Sequence, residues 1–86
     1  LSVDCLKIDK YFIDEILTDK KSQLLVGSMI EMGHQLGHVI VAEGVETVEQ
    51  LNLLKNLNCE IAQGYLFSKP VKATEITILS QKTSTL

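Results

Sequence analysis

The sequence predicts an α/β fold in which about three parallel strands alternate with helices. Three observations carry this. Val39-Ile40-Val41-Ala42 is apolar and rich in β-branched residues without alternation, which marks a strand buried on both faces. The run ends in Glu43-Gly44-Val45-Glu46, and Thr47-Val48-Glu49-Gln50 then fits a capping box that opens a helix. The same succession of apolar run and polar end occurs at Leu6-Lys7-Ile8-Asp9 and at Ile61-Ala62-Gln63-Gly64-Tyr65. Parallel strands joined by right-handed helical crossovers place their carboxyl ends on one side. Lys7, Glu43 and Gln63 are therefore expected to converge on one end of one sheet, where α/β folds do their chemistry.

Leu1 to Leu6 leads into the first strand. Lys10 to Leu17 carries Tyr11, Phe12, Ile13 and Ile16, enough for a short helical segment. Thr18-Asp19-Lys20-Lys21 is a polar break, and a longer helix is expected from Ser22. Leu25, Met29, Met32 and Leu36 fall at helical spacing and predict its buried stripe, with Met29 and Met32 in the core. Gly27, Ser28 and Gly33 are small enough to let that helix approach the sheet. Gly37 is placed to end it. A third helix, Val48 to Leu57, turns Leu51, Leu54 and Leu57 inward, with Asn58 as its left-handed cap. The third strand covers about Glu60 to Gln63. Leu66-Phe67-Ser68-Lys69-Pro70 reads as a loop, because Pro70 has no amide hydrogen for a ladder. Thr74 is placed to cap a last helix holding Ile76 and Leu79. Residues 80–86 read as a polar, frayed tail.

Leu6-Lys7-Ile8-Asp9, Ala42-Glu43-Gly44-Val45-Glu46-Thr47 and Gln63-Gly64-Tyr65-Leu66-Phe67-Ser68-Lys69-Pro70 together resemble the last three strand motifs of the EAL domain, the family of cyclic di-GMP phosphodiesterases. The resemblance runs from Leu1 to about Leu79. It implies a TIM-like (β/α) barrel of which residues 1–79 are the C-terminal segment. It also implies hydrolysis of cyclic di-GMP to linear pGpG by metal-activated water, with Mg2+ or Mn2+ in the intact domain and none bound to this chain alone. Lys7, Glu43 and Gln63 are the implied catalytic residues. Glu43 lies beside the metal-bound water or helps hold an ion. Lys7 stabilises charge on the phosphorus centre, and Gln63 lies at the site floor. Asp9, Glu46 and Gly64 stand adjacent. Asp9 either orients Lys7 or caps the following helix. Gly64 permits close backbone approach. Tyr65 and Phe67 are read as packing groups rather than platforms for a base.

The bulk composition sets bounds. A chain of 86 residues allows one small domain, whereas a complete TIM-type barrel needs about 250. The earlier-strand motifs of the family, including the one that names it, do not occur here, so the chain alone is expected to be inactive. Hydrophobic content of 45% with 22% charged residues fits a globular chain. A net charge of −3 offers no basic surface for duplex nucleic acid. No apolar run approaches the roughly 20 residues of a membrane span. The chain begins at Leu1 rather than methionine, so its natural start is expected upstream and a missing leader is uninformative. The expected setting is cytoplasmic, in a parent that the family often fuses to sensory domains. The expected partners are cyclic di-GMP, the rest of the barrel, or a second copy in a homodimer. Cys5 and Cys59 are expected as free, buried thiols, with a disulfide between them as the alternative if their strands lie close. His34 and His38 lie four apart but straddle the predicted helix end, and read as helix-terminal rather than metal-binding. The alternatives are a degenerate EAL domain that senses cyclic di-GMP or binds a protein, and a generic α/β fragment.

Overall fold

A computed structural model of the chain describes residues 4–64, 77–79 and 83–85. The elements are β1 (Cys5–Ile8), α1 (Lys10–Asp14), α2 (Lys20–Gln35), β2 (Val39–Ala42), α3 (Val48–Asn56), β3 (Ile61–Gln63), β4 (Thr77–Leu79) and β5 (Thr83–Thr85). One sheet has the order β1-β2-β3-β5-β4. The β1–β2 and β2–β3 pairs are parallel, and β5 is antiparallel to both β3 and β4. The parallel half therefore follows the sequence reading.

Strand alternation divides the side chains of the parallel strands between two faces. Leu6 pairs with Ile40, Ile8 with Ala42, and Ala42 with Ala62. These residues face the helices. Ile8, Ile40, Ala42 and Ala62 join Ile13, Ile16, Val26, Ile30, Val45, Leu51, Leu54 and Cys59 in one buried cluster. Full burial of each large aliphatic contributes about 1.5–3 kcal/mol. Cys5, Lys7, Val39, Val41 and Ile61 occupy the opposite face.

The helices are set by their caps. The Asp9 carboxylate accepts from Tyr11 N at 2.9 Å and opens α1, which runs only to Asp14 before turns carry Ile16 into the core. Asp19 opens α2 two residues before the expected start, accepting from Lys21 N at 3.1 Å and Ser22 Oγ at 3.0 Å. At the far end, His38 N donates to Gly33 O and Gly37 N to His34 O, both at 2.9 Å, which closes α2 in a Schellman arrangement. Cys59 and Asn58 repeat it on Leu54 O and Lys55 O at 3.0 Å, with Asn58 at φ 70°.

The buried seam of α2 differs from the predicted stripe. Val26, Ile30 and Gly33 are buried with Met29 partly so, while Leu25, Met32 and Leu36 are exposed. The reason is Gly33. A Cβ there would collide with Cδ1 of Ile40 and press on Leu6, so this position is where helix and sheet come closest. Val26, Ile30 and Gly33 stand at i, i+4 and i+7, and a residue without a side chain is invisible to a count of apolar residues.

Two further expectations change. Thr77–Leu79 is strand β4 rather than part of a helix, and β5 lies within the residues expected to fray. Local propensity for extended backbone at Thr77 and Ile78 combines here with pairing to β5, which itself pairs with β3. The expected loop with Tyr65, Phe67 and Pro70, and the Thr74 cap, lie outside the described residues. Among the described residues, no helix is long and apolar enough to cross a membrane.

Neither Cys5 nor Cys59 is in a disulfide, but Cys5 is exposed on the edge strand and only Cys59 is buried. Burial pushes the Cys59 thiol up to about 11, against a weaker opposing effect of its bond to Ile61 O. Its proton is held more tightly folded than unfolded. The resulting stabilisation is complete below the thiol's ordinary value near 9.0 and is lost as pH rises towards 11. Cys59 should accordingly resist alkylation at pH 8 until denaturant is added, as mass spectrometry of the labelled thiols would show.

Candidate active site

Lys7 is in β1, Glu43 directly follows β2, and Gln63 ends β3. The register sets Ile8, Ala42 and Ala62 level, so Glu43 and Gln63 lie one step further towards the same carboxyl-terminal end. Alternation puts Lys7 and Gln63 on the face away from the helices. Lys7 Nζ lies 4.0 Å from Glu43 Oε2, with the two side chains 62% and 36% exposed. A pair this wet adds little stability. Its significance is positional: a cation and a carboxylate meet at the ends of adjoining parallel strands, with an amide on the next.

The loop carrying Glu43 is fastened on three sides. Glu43 N donates to Ile8 O and Val45 N to Gln63 O, each at 2.9 Å. Glu46 N donates to Gln50 Oε1 at 2.7 Å. Gly64 stacks against the Val45 backbone so closely that a Cβ there would collide with Val45 N and O, which is the close approach the sequence suggested.

Gln50 is the hub of this arrangement. Its Oε1 also accepts from Thr47 N at 3.2 Å, while its own N donates to Thr47 Oγ1 at 3.1 Å, so the predicted capping box is formed. Its Nε2 donates to Ile13 O at 3.4 Å and ties α3 to α1. The side chain is only 5% exposed. Gln50→Ala should cost about 1–2 kcal/mol, because it strips the capping box and leaves the part-buried amides of Glu46 and Thr47 without their side-chain acceptor. Urea unfolding of the variant checks this.

The remaining sequence candidates take plainer places. Asp9 spends its carboxylate on the α1 cap. Glu46 is exposed and lies 3.9 Å from Lys10 Nζ, whose nearer partner is Asp14 at 2.7 Å. That hydrogen bond to Asp14 is the main cause raising the Lys10 pKa. His34 Nε2 lies 2.7 Å from Glu60 Oε2, and Glu60 Oε1 accepts from Ile40 N at 3.1 Å. This clasp joins the end of α2 to the residue before β3, at the other end of the sheet from Lys7. Sequence reasoning missed it because the partners are 26 residues apart. It also missed Lys10, though the Lys10–Asp14 spacing of i, i+4 was a visible signal.

A model of the EAL domain matches residues 1–70. The chain belongs to the EAL domain family. NbdA of Pseudomonas aeruginosa, a cyclic di-GMP phosphodiesterase, is 42% identical over 71 residues, which take in 83% of this EAL chain and 9% of NbdA. The EAL enzyme Bd1971 in its cAMP and cyclic-di-GMP bound form superposes with a TM-score of 0.75 at 40% identity, covering 87% of this chain and 20% of Bd1971. Klebsiella pneumoniae BlrP1, in a manganese/cyclic di-GMP complex, gives a TM-score of 0.73 at 34% identity over 81% of this chain and 18% of BlrP1. The chain spans about a tenth of the length of the first curated relatives it matches. Its three parallel strands alternate with helices as they do in these EAL (TIM-barrel) neighbours.

Proposed function

We propose that this EAL segment supplies the late-strand part of a cyclic di-GMP phosphodiesterase site, with residues 1–79 as the C-terminal segment of the barrel. The observation that carries the reading is the 4.0 Å approach of Lys7 Nζ to Glu43 Oε2 at the carboxyl ends of β1 and β2. In this reading a water held by Glu43 attacks phosphorus. An oxygen–phosphorus bond forms, the ester bond to the ribose oxygen breaks, and the product is linear pGpG. The Glu43 carboxylate orients the water and accepts its proton. Negative charge grows on the phosphoryl oxygens, where the Lys7 ammonium opposes it. Gln63, on the same face, donates to the water or to the substrate.

The family's divalent ion does not fit the described residues by themselves. Among them no group of three or more His, Cys, Asp or Glu gathers to hold a metal, and Glu43 alone is one donor. No step is therefore assigned to an ion, and the isolated chain is proposed to be inactive.

The test is direct. The protein carrying this segment, incubated with cyclic di-GMP and Mg2+ or Mn2+, should convert it to pGpG as resolved by liquid chromatography. Tight binding of cyclic di-GMP without conversion would instead make it a sensor, and no binding would end both readings.

A further inference from the structure

We propose that Lys10 is a positioning residue for the Glu43 carboxylate, a strap laid from α1 across the loop that carries it. This rests on the catalytic reading of Glu43 given above. Gly44, the next residue after Glu43, has φ 75°, a backbone conformation that side chains rarely adopt. A Cβ at Gly44 would collide with Cβ, Cγ and Cδ of Lys10, so the lysine stem lies directly on the loop backbone. The ammonium beyond that stem is anchored on Asp14 Oδ1 at 2.7 Å and reaches Glu46 Oε2, on the far side of the loop, at 3.9 Å. The fastenings from Ile8, Gln63 and Gln50 hold the amides of Glu43, Val45 and Glu46. The Lys10 stem covers the glycine between them.

The consequence is geometric. Glu43 meets Lys7 from one strand end, and any swing about Gly44 carries its carboxylate away. A misplacement of about 1 Å can cost as much as about a hundredfold in rate. The ammonium is charged at neutral pH, and its hydrogen bond to Asp14 raises the Lys10 pKa further.

The experiment compares Lys10→Ala and Lys10→Arg in the full protein. Lys10→Ala should lower kcat for cyclic di-GMP about tenfold with KM changed less than about twofold, since the loss falls on the transition state. Lys10→Arg keeps a stem and a cation and should restore most of that loss. Nitrogen-15 relaxation should show the Gly44 amide more mobile in Lys10→Ala and quiet again in Lys10→Arg. Unchanged kcat, a loss confined to KM, or no recovery with arginine would each overturn the proposal. If the parent protein binds cyclic di-GMP without hydrolysing it, the catalytic reading of Glu43 fails, and the Gly44 amide alone decides. A loosened amide then supports the strap, and an unchanged one overturns it.

Discussion

Glu43→Gln in the intact domain should lower kcat for cyclic di-GMP about 10²–10⁴-fold, the range expected for losing a positioned general base, and leave KM within about threefold. The amide keeps the size of the carboxylate and preserves the Glu43 N–Ile8 O bond, so the loop should keep its course. It cannot accept a proton from water, and it presents no charge to Lys7 across the 4.0 Å gap. Loss in turnover with binding retained is the signature of a group acting in the transition state. Lys7→Ala should lower kcat similarly and also weaken binding, because the ammonium would meet phosphate in the ground state as well. Steady-state kinetics with isothermal titration for affinity separates the two. A Glu43→Gln enzyme running at the parental rate would remove Glu43 from the chemistry.

The parts of this site that were legible in the sequence are those governed by local rules. Val39–Ala42 is β-branched and apolar, Thr47 and Gln50 stand at capping-box spacing, and polar residues close each strand, so strand ends and their common side followed directly. The errors lie where a non-local contact decides. Residue type does not tell which face a strand residue takes: the Leu6–Ile40 and Ile8–Ala42 pairing turns Leu6 and Ile8 towards the helices, while Val39, Val41 and Ile61 lie on the opposite face. Leu25 and Met32 satisfied helical spacing, yet the seam of α2 is set by the contact of Gly33 with Ile40. A three-residue strand such as β4 depends on a partner elsewhere in the chain, so no window around Thr74 could show it. The His34–Glu60 pair has the same character: α2 and the residue before β3 meet through packing rather than by neighbourhood in the sequence.

The isolated 86-residue chain should show no detectable cyclic di-GMP hydrolysis and should associate at micromolar concentration. Catalytically it offers Lys7, Glu43 and Gln63 without a set of metal ligands among the described residues. Structurally it differs from three bare strands, because β5 pairs with the free side of β3 and β4 lies beyond it. The sheet still has edges: β1 and β4 end its order, and an edge strand presents backbone groups to any chain able to pair with them. Apolar surface adds to the drive. Leu24 is 67% exposed and Met32 55%, both on α2, and Leu36, which caps that helix, is 68% exposed. At roughly 25 cal/mol per Å² of apolar area, covering them would yield on the order of several kcal/mol. A homodimer that buries the β1 edge and this surface is the expected product. Size-exclusion chromatography with light scattering decides the matter. A monodisperse monomer with a single cooperative melt would show that these strands and helices suffice as a fold, and the expected homodimer would fall.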